Sequence, residues 1–141
     1  MVSDTDLAYM AGMIDGEGSI MISVSKKHGN LTSKLTVYNT NEPVIRWMSE
    51  TFGGSVFKVG RPLRLKHRQE WAWSTVGNPA VAILKQVMPY LKIKRTLAEL
   101  AIEAWENRCP TPIVDRRKPL PEEVVLKRMK YVAQARALVA A

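Results

Sequence analysis

Two runs of strict alternation constrain this chain most. From Ser19 to Ser25, Ile20, Ile22 and Val24 alternate with Met21, Ser23 and Ser25. From Leu31 to Tyr38, Leu31, Ser33, Leu35 and Val37 alternate with Thr32, Lys34, Thr36 and Tyr38. A period of two residues is that of a strand with unlike faces. The stretch between them, Lys26-Lys27-His28-Gly29-Asn30, is polar and carries a Gly-Asn turn signal. The two runs therefore form a hairpin with one apolar face and one polar, basic face. A second pair follows, Ser55–Val59 and Glu70–Val76, separated by Gly60-Arg61-Pro62 and basic sequence to Arg68. In the last strand Trp71 and Trp73 share one face and Glu70, Ala72 and Ser74 the other.

The segments around these strands read as helices. Thr5 to Ile14 carries Leu7, Met10, Ala11 and Ile14 on one stripe, with Ser3 or Asp4 as cap and Gly16 and Gly18 as its end. Asn39-Thr40-Asn41-Glu42-Pro43 starts a second helix, which runs to about Phe52 and stops at Gly53-Gly54. A third runs from Gly77-Asn78-Pro79 to about Met88. A fourth, Leu91 to Arg108, has Leu97, Leu100, Ala101 and Ala104 as its stripe. A last helix runs from Glu122 to about Val139, striped by Val125, Met129 and Val132. The order is α-β-β-α-β-β-α-α-α. The expected fold class is α+β: a four-stranded antiparallel sheet with helices on its apolar face and its other face bare. At 141 residues the chain has room for a single domain.

The charge is unevenly spread. Residues 1–17 hold four acids and no Lys or Arg, whereas residues 18–98 hold 13 basic residues against three acids. That positive middle points to a polyanionic partner, because a basic surface releases counterions when it meets phosphate. On the bare sheet face Lys27, Lys34 and Lys58 are expected, with Arg61, Arg64, Lys66 and Arg68 near its end. A twisted basic ribbon of this kind fits a DNA major groove. The single cysteine, Cys109, excludes an internal disulfide framework and a CxxC metal site. No run approaches the roughly 20 apolar residues of a membrane helix, and the first residues lack a basic segment before an apolar run. An intracellular, soluble protein is expected, in a prokaryotic or phage cytoplasm or an organelle, without a membrane partner.

The run Met10-Ala11-Gly12-Met13-Ile14-Asp15-Gly16-Glu17-Gly18 has features a plain helix avoids. Gly12 lies mid-helix, where it costs about 1 kcal/mol against Ala. Asp15 and Glu17 sit at the C-terminal end, where the helix dipole disfavours carboxylates. Ala8 and Gly12, four apart, make a strip of small residues that Gly16 extends, and such a strip lets a second helix approach closely. If that helix belongs to a second copy, a two-fold axis brings both Glu17 side chains together. Like charges so close need a cation, and hard oxygen ligands suit Mg²⁺.

This run resembles the LAGLIDADG signature of homing endonucleases, and the element order over about residues 5–108 is similar to one repeat of that family. A helical extension follows at about 119–139. The motif occurs once, so the resemblance is to the homodimeric members. It implies a site-specific endonuclease that hydrolyses a pseudo-palindromic DNA duplex across the minor groove with Mg²⁺, Mn²⁺ or Ca²⁺ substituting for binding, and without a small-molecule cofactor. By resemblance Glu17 is the metal-binding acid, where Asp is commoner in the family, and the carbonyl of Gly16 helps ligate. Lys94 would stabilise phosphoryl charge, with Lys92 as its neighbour. Asn41 would position water or cap the second helix. The basic helper of that helix in relatives matches Ile45 or Arg46. Ala8, Ala11, Gly12 and Asp15 would line the dimer interface, with Asp15 also read as a cap of neighbouring backbone N–H groups. DNA contacts are expected from Met21, Ser23, Ser25, Lys27, Thr32, Lys34, Tyr38, Lys58, Arg61, Arg64, Lys66, Arg68, Glu70 and Ser74. A non-cleaving DNA-binding regulator and an intron RNA maturase are the alternatives on the same fold.

Overall fold

The structure is a computed structural model that describes residues 2–60, 68–108 and 120–140. Helix α1 (Asp4–Glu17) leads into β1 (Gly18–Val24) and β2 (Leu31–Asn39). Then come α2 (Glu42–Phe52), β3 (Ser55–Val59), β4 (Glu70–Val76) and α3 (Asn78–Val87). A 3-10 turn at Met88–Tyr90, α4 (Arg95–Glu106) and α5 (Glu122–Ala140) complete the order. The four strands form one antiparallel sheet in the order β1-β2-β4-β3. Within the described residues, the element order is the one the periodicity predicts.

The helices cover one face of the sheet. Ile20, Ile22, Leu31, Leu35, Val37 and Trp73 point into this layer and are buried. They meet Met10, Ala11 and Ile14 of α1, Ile45 and Met48 of α2, and the small stripe Ala98, Ala101 and Ala104 of α4. Ser33 is the polar residue in this apolar row. Its hydroxyl donates to the Ala101 carbonyl at 2.8 Å, so the group is buried with its hydrogen bond made. Two close approaches demand glycine. A Cβ on Gly18 would lie 2.7 Å from the Ile14 carbonyl, where β1 folds back from the helix end. Gly54 has φ +90, and a Cβ there would lie 2.7 Å from the Trp73 indole nitrogen.

Some expectations shift. Helix α1 continues one turn past Ile14, through Gly16 to Glu17. The fourth helix starts at Arg95 rather than Leu91, because the backbone N–H groups of Lys92 and Lys94 are taken by the Asp15 carboxylate. On α5 the buried residues are Arg128, Val132 and Ala135, while Met129 of the expected stripe is 42% exposed. The Arg128 guanidinium donates to the Gly29 carbonyl at 2.6 Å and also to the Arg108 carbonyl. It ties α5 to the β1–β2 turn and to the end of α4. Trp73 is fully buried, Trp47 lies edge-on between Tyr9 and Phe52, and the Trp105 indole donates to Asn78. These tryptophans pack or bond within the chain. No described helix is long and apolar enough to cross a membrane.

Candidate nucleic-acid interface and its acidic end

The C-terminal end of α1 is held by a reciprocal clamp. The Asp15 carboxylate accepts the N–H of Lys92 at 2.8 Å and that of Lys94 at 3.0 Å. The Lys94 ammonium returns to α1, donating to the Ile14 carbonyl at 2.8 Å and to the Gly18 carbonyl. A cation at a helix C-terminus satisfies carbonyls that have no partner further along the helix and offsets the dipole. Burial alone would raise the Asp15 pKa. The backbone N–H groups of residues 92–94 and the Lys94 charge outweigh it and hold Asp15 below the usual carboxylate value. Burial pushes Lys94 below the usual lysine value, with Asp15 acting in the opposite direction.

Glu17 follows, with its side chain exposed. Its Oε2 accepts the Asn39 side-chain amide at 2.5 Å. The Asn39 Oδ1 in turn accepts the Asn41 backbone N–H at 2.7 Å. Asn41 itself caps α2, its side chain accepting the Val44 N–H at 3.0 Å. The polar side chain beside Glu17 is therefore Asn39. The strand alternation runs one residue further than Tyr38, which puts Asn39 in phase with Leu35 and Val37 on the helix side. The alternation of β2 carries this signal, and the helix-entry chemistry of Asn39-Thr40-Asn41 obscures it.

The outer side of α1 is bare. Ala8 and Gly12 are exposed, and a Cβ on Gly12 or Gly16 would meet nothing within 4 Å. Ala11, expected at a dimer interface, is instead fully buried in its own core. The stripe Met10, Ala11 and Ile14 faces the sheet, so Ala11 cannot also face a second copy. The Asp15 carboxylate is likewise engaged within its own chain.

The other face of the sheet carries the predicted DNA-contact residues in cross-strand rows. Thr32 pairs with Ser23, and Lys34 lies between Met21 and Val76. Thr36 lies between Ser19 and Ser74, its hydroxyl 3.3 Å from that of Ser74. Tyr38 and Phe57 flank Ala72. Ser25, Lys27, Arg68 and Glu70 are exposed. Lys58 lies elsewhere than expected. It pairs with Trp71 on the helix-bearing face, its ammonium 5.6 Å from that ring, and is not on the bare face. Arg46 of α2 approaches the same ring at 5.3 Å and pairs with Glu42 at 2.8 Å. Arg61, Arg64 and Lys66 lie outside the described residues, as do Cys109 and residues 116–118. Phe57 was not among the expected contacts, yet it is 43% exposed on this face.

Solved structures share this architecture. The homing endonuclease I-CvuI in complex with its target matches with a TM-score of 0.71 and 20% identity, over 95% of this chain and 82% of that one. The archaeal intron-encoded homing endonuclease I-Vdi141I complexed with DNA matches with a TM-score of 0.72 and 12% identity, over 96% and 84%. The LAGLIDADG homing endonuclease I-GzeII in complex with its DNA target matches with a TM-score of 0.62 and 17% identity, and here the chain spans 43% of the other's length. The fold is that of the LAGLIDADG homing endonucleases.

No protein-family model matches the sequence, and no curated protein does. Within the LAGLIDADG fold the motif resemblance can be placed residue by residue. Glu17 ends the motif helix and its carboxylate is open to solvent. Lys94 reaches that helix end, although its ammonium is taken by main-chain carbonyls. Of the two candidates for the basic helper position, Ile45 is buried in the core and Arg46 pairs with Glu42.

Proposed function

We propose that this chain is a homodimeric, divalent-metal-dependent endonuclease that binds a pseudo-palindromic DNA duplex on its bare sheet face and hydrolyses a phosphodiester in each strand across the minor groove. One observation carries the reading. An exposed carboxylate, Glu17, stands at the end of a helix whose outer strip of Ala8, Gly12 and Gly16 is bare. Two such strips packed about a two-fold axis set the helix ends side by side and bring two Glu17 carboxylates together.

The donor chemistry fits a hard cation. Glu17 offers a carboxylate, and Gly16 offers a carbonyl in the last turn of the helix. Among the described residues one copy holds no group of three His, Cys, Asp or Glu side chains that could bind a metal ion. In the proposed dimer the second Glu17 and the DNA phosphate add further oxygens to those of Glu17 and Gly16. When bound, Mg²⁺ neutralises phosphate charge and acidifies water. The protein's own part is positioning. Asp15 and Lys94 fix the helix end, Asn39 holds the Glu17 carboxylate, and the Lys94 charge adds positive potential where phosphate charge develops. The turn lysines Lys26 and Lys27 hold the duplex on the sheet through its phosphates.

The test is a selection on randomised duplex DNA with wild type and Glu17→Gln, each with Mg²⁺ and with Ca²⁺, sequencing bound and cut molecules. Cuts at a pseudo-palindrome by wild type with Mg²⁺, and binding without cutting by Glu17→Gln, are expected. Full cutting by Glu17→Gln removes the metal assignment. A bound palindrome that neither protein cuts assigns a DNA-binding regulator, and no enriched DNA turns the search to RNA.

A further inference from the structure

The bare sheet face is chemically ordered along its strands. Counting outward from the Glu17 end, Tyr38, Ala72 and Phe57 form the first complete row across three strands. The next row is all hydroxyl: Ser19, Thr36, Ser74 and Ser55. The third holds Lys34 between Met21 and Val76. Among these three rows only the first carries aromatic rings. Phe57 is 43% and Tyr38 37% exposed, while Ala72 between them is fully covered. Two aromatic rings flanking a methyl make a shallow apolar strip with no charged member, whereas the exposed Met21 and Val76 of the third row flank the Lys34 ammonium.

We infer that the Tyr38–Ala72–Phe57 row reads thymine through its 5-methyl group. The inference rests on the DNA reading of this face. In the major groove the thymine methyl is the one apolar feature that distinguishes the base pairs, and apolar side chains are its complement. A lysine is the complement of guanine O6 and N7. Lys34 makes no ion pair among the described residues, so its ammonium is free for that role. Successive rows lie two residues apart, about 6.7 Å along the strands. The duplex rises about 3.4 Å per base pair, so each row spans about two base pairs. The first and third rows are then about four base pairs apart. Each half-site carries a thymine toward its centre and a guanine about four pairs further out.

The experiment uses the duplex enriched by wild type on randomised DNA. The thymine is then replaced by deoxyuridine, which deletes the methyl and keeps the pairing. Binding is measured with Ca²⁺ for wild type, Phe57→Ser and Lys34→Gln. Burying one methyl corresponds to about fourfold in affinity. Wild type is expected to bind the deoxyuridine duplex about fourfold more weakly per half-site, Phe57→Ser to bind both duplexes equally, and Lys34→Gln to keep the methyl effect while losing the guanine preference. An enriched site without an inner thymine, or equal binding of both duplexes by wild type, overturns the inference and leaves the DNA reading standing. If wild type enriches no DNA sequence, the DNA reading falls, and this inference with it. The uridine arm uses wild-type protein, so it does not depend on how any variant folds.

Discussion

Asp15→Asn tests the helix-end clamp with almost no change in shape. Each oxygen of the wild-type carboxylate accepts one backbone N–H, from Lys92 and from Lys94. Hydrogen bonds to a charged group contribute about 1.5–3 kcal/mol each. In the variant one oxygen becomes an NH₂ that faces an N–H, so one bond is lost and the other becomes neutral. Asp15 is partly open to solvent, which favours the lower end of the range. The expected loss is about 2 kcal/mol, a fall in Tm of roughly 5–10 °C. Urea and thermal unfolding at one fixed protein concentration measure it, because dimerisation adds to apparent stability. The pH dependence has a definite sign. The folded pKa of Asp15 lies below its unfolded value of 3.8, so its contribution is complete above that value and is lost as pH falls through the folded pKa. The gap between wild type and variant closes on acidification. A variant within about 0.5 kcal/mol of wild type at neutral pH would refute the clamp.

Three further outcomes follow from the same geometry. Asn39→Ala, which frees the Glu17 carboxylate, is expected to raise the Mg²⁺ concentration for half-maximal cleavage about tenfold, the low end of the roughly 10–100-fold cost of lost outer-shell partners, because the site is exposed; a metal titration that superimposes on wild type would exclude the role. Lys27→Gln is expected to lower the slope of log affinity against log salt by about one, and Lys58→Gln, on the helix-bearing face, to leave it unchanged; equal slopes for all three proteins would return Lys27 to a plain surface position. Gly12→Phe meets open space within one copy and is expected to keep its circular dichroism while sedimenting as a monomer; a dimer of unchanged affinity would move the interface elsewhere.

Much of the site was legible because its elements are coded locally. Ser3 caps α1 as expected, its hydroxyl accepting the Asp6 N–H at 3.1 Å, and Asn41 caps α2. The hairpin faces of β1 and β2 follow from their alternation, since each has clearly unlike sides. Strand β3 shows where that code fails. In Ser55-Val56-Phe57-Lys58-Val59 both phases contain apolar residues, so the pattern alone does not say which face is covered. Pairing with β4 decides it: Val56 meets Trp73 and Lys58 meets Trp71, which leaves Phe57 on the bare side.

The sequence by itself determined the helices, the strands and their order, the helix caps, the positive middle and the glycine-bearing strip that ends in Glu17. These depend on residues a few positions apart, and the period of the backbone turns such spacing into faces. Only the tertiary structure decided that Asp15 serves a turn 77 residues away, that Asn39 rather than Asn41 reaches Glu17, and that Arg128 is buried against a hairpin carbonyl. Those partners meet because β2 lies beside β4 and the helices stack on one side of the sheet. A polar side chain has no period that names its partner, so its role is set by which distant backbone group packing leaves within reach.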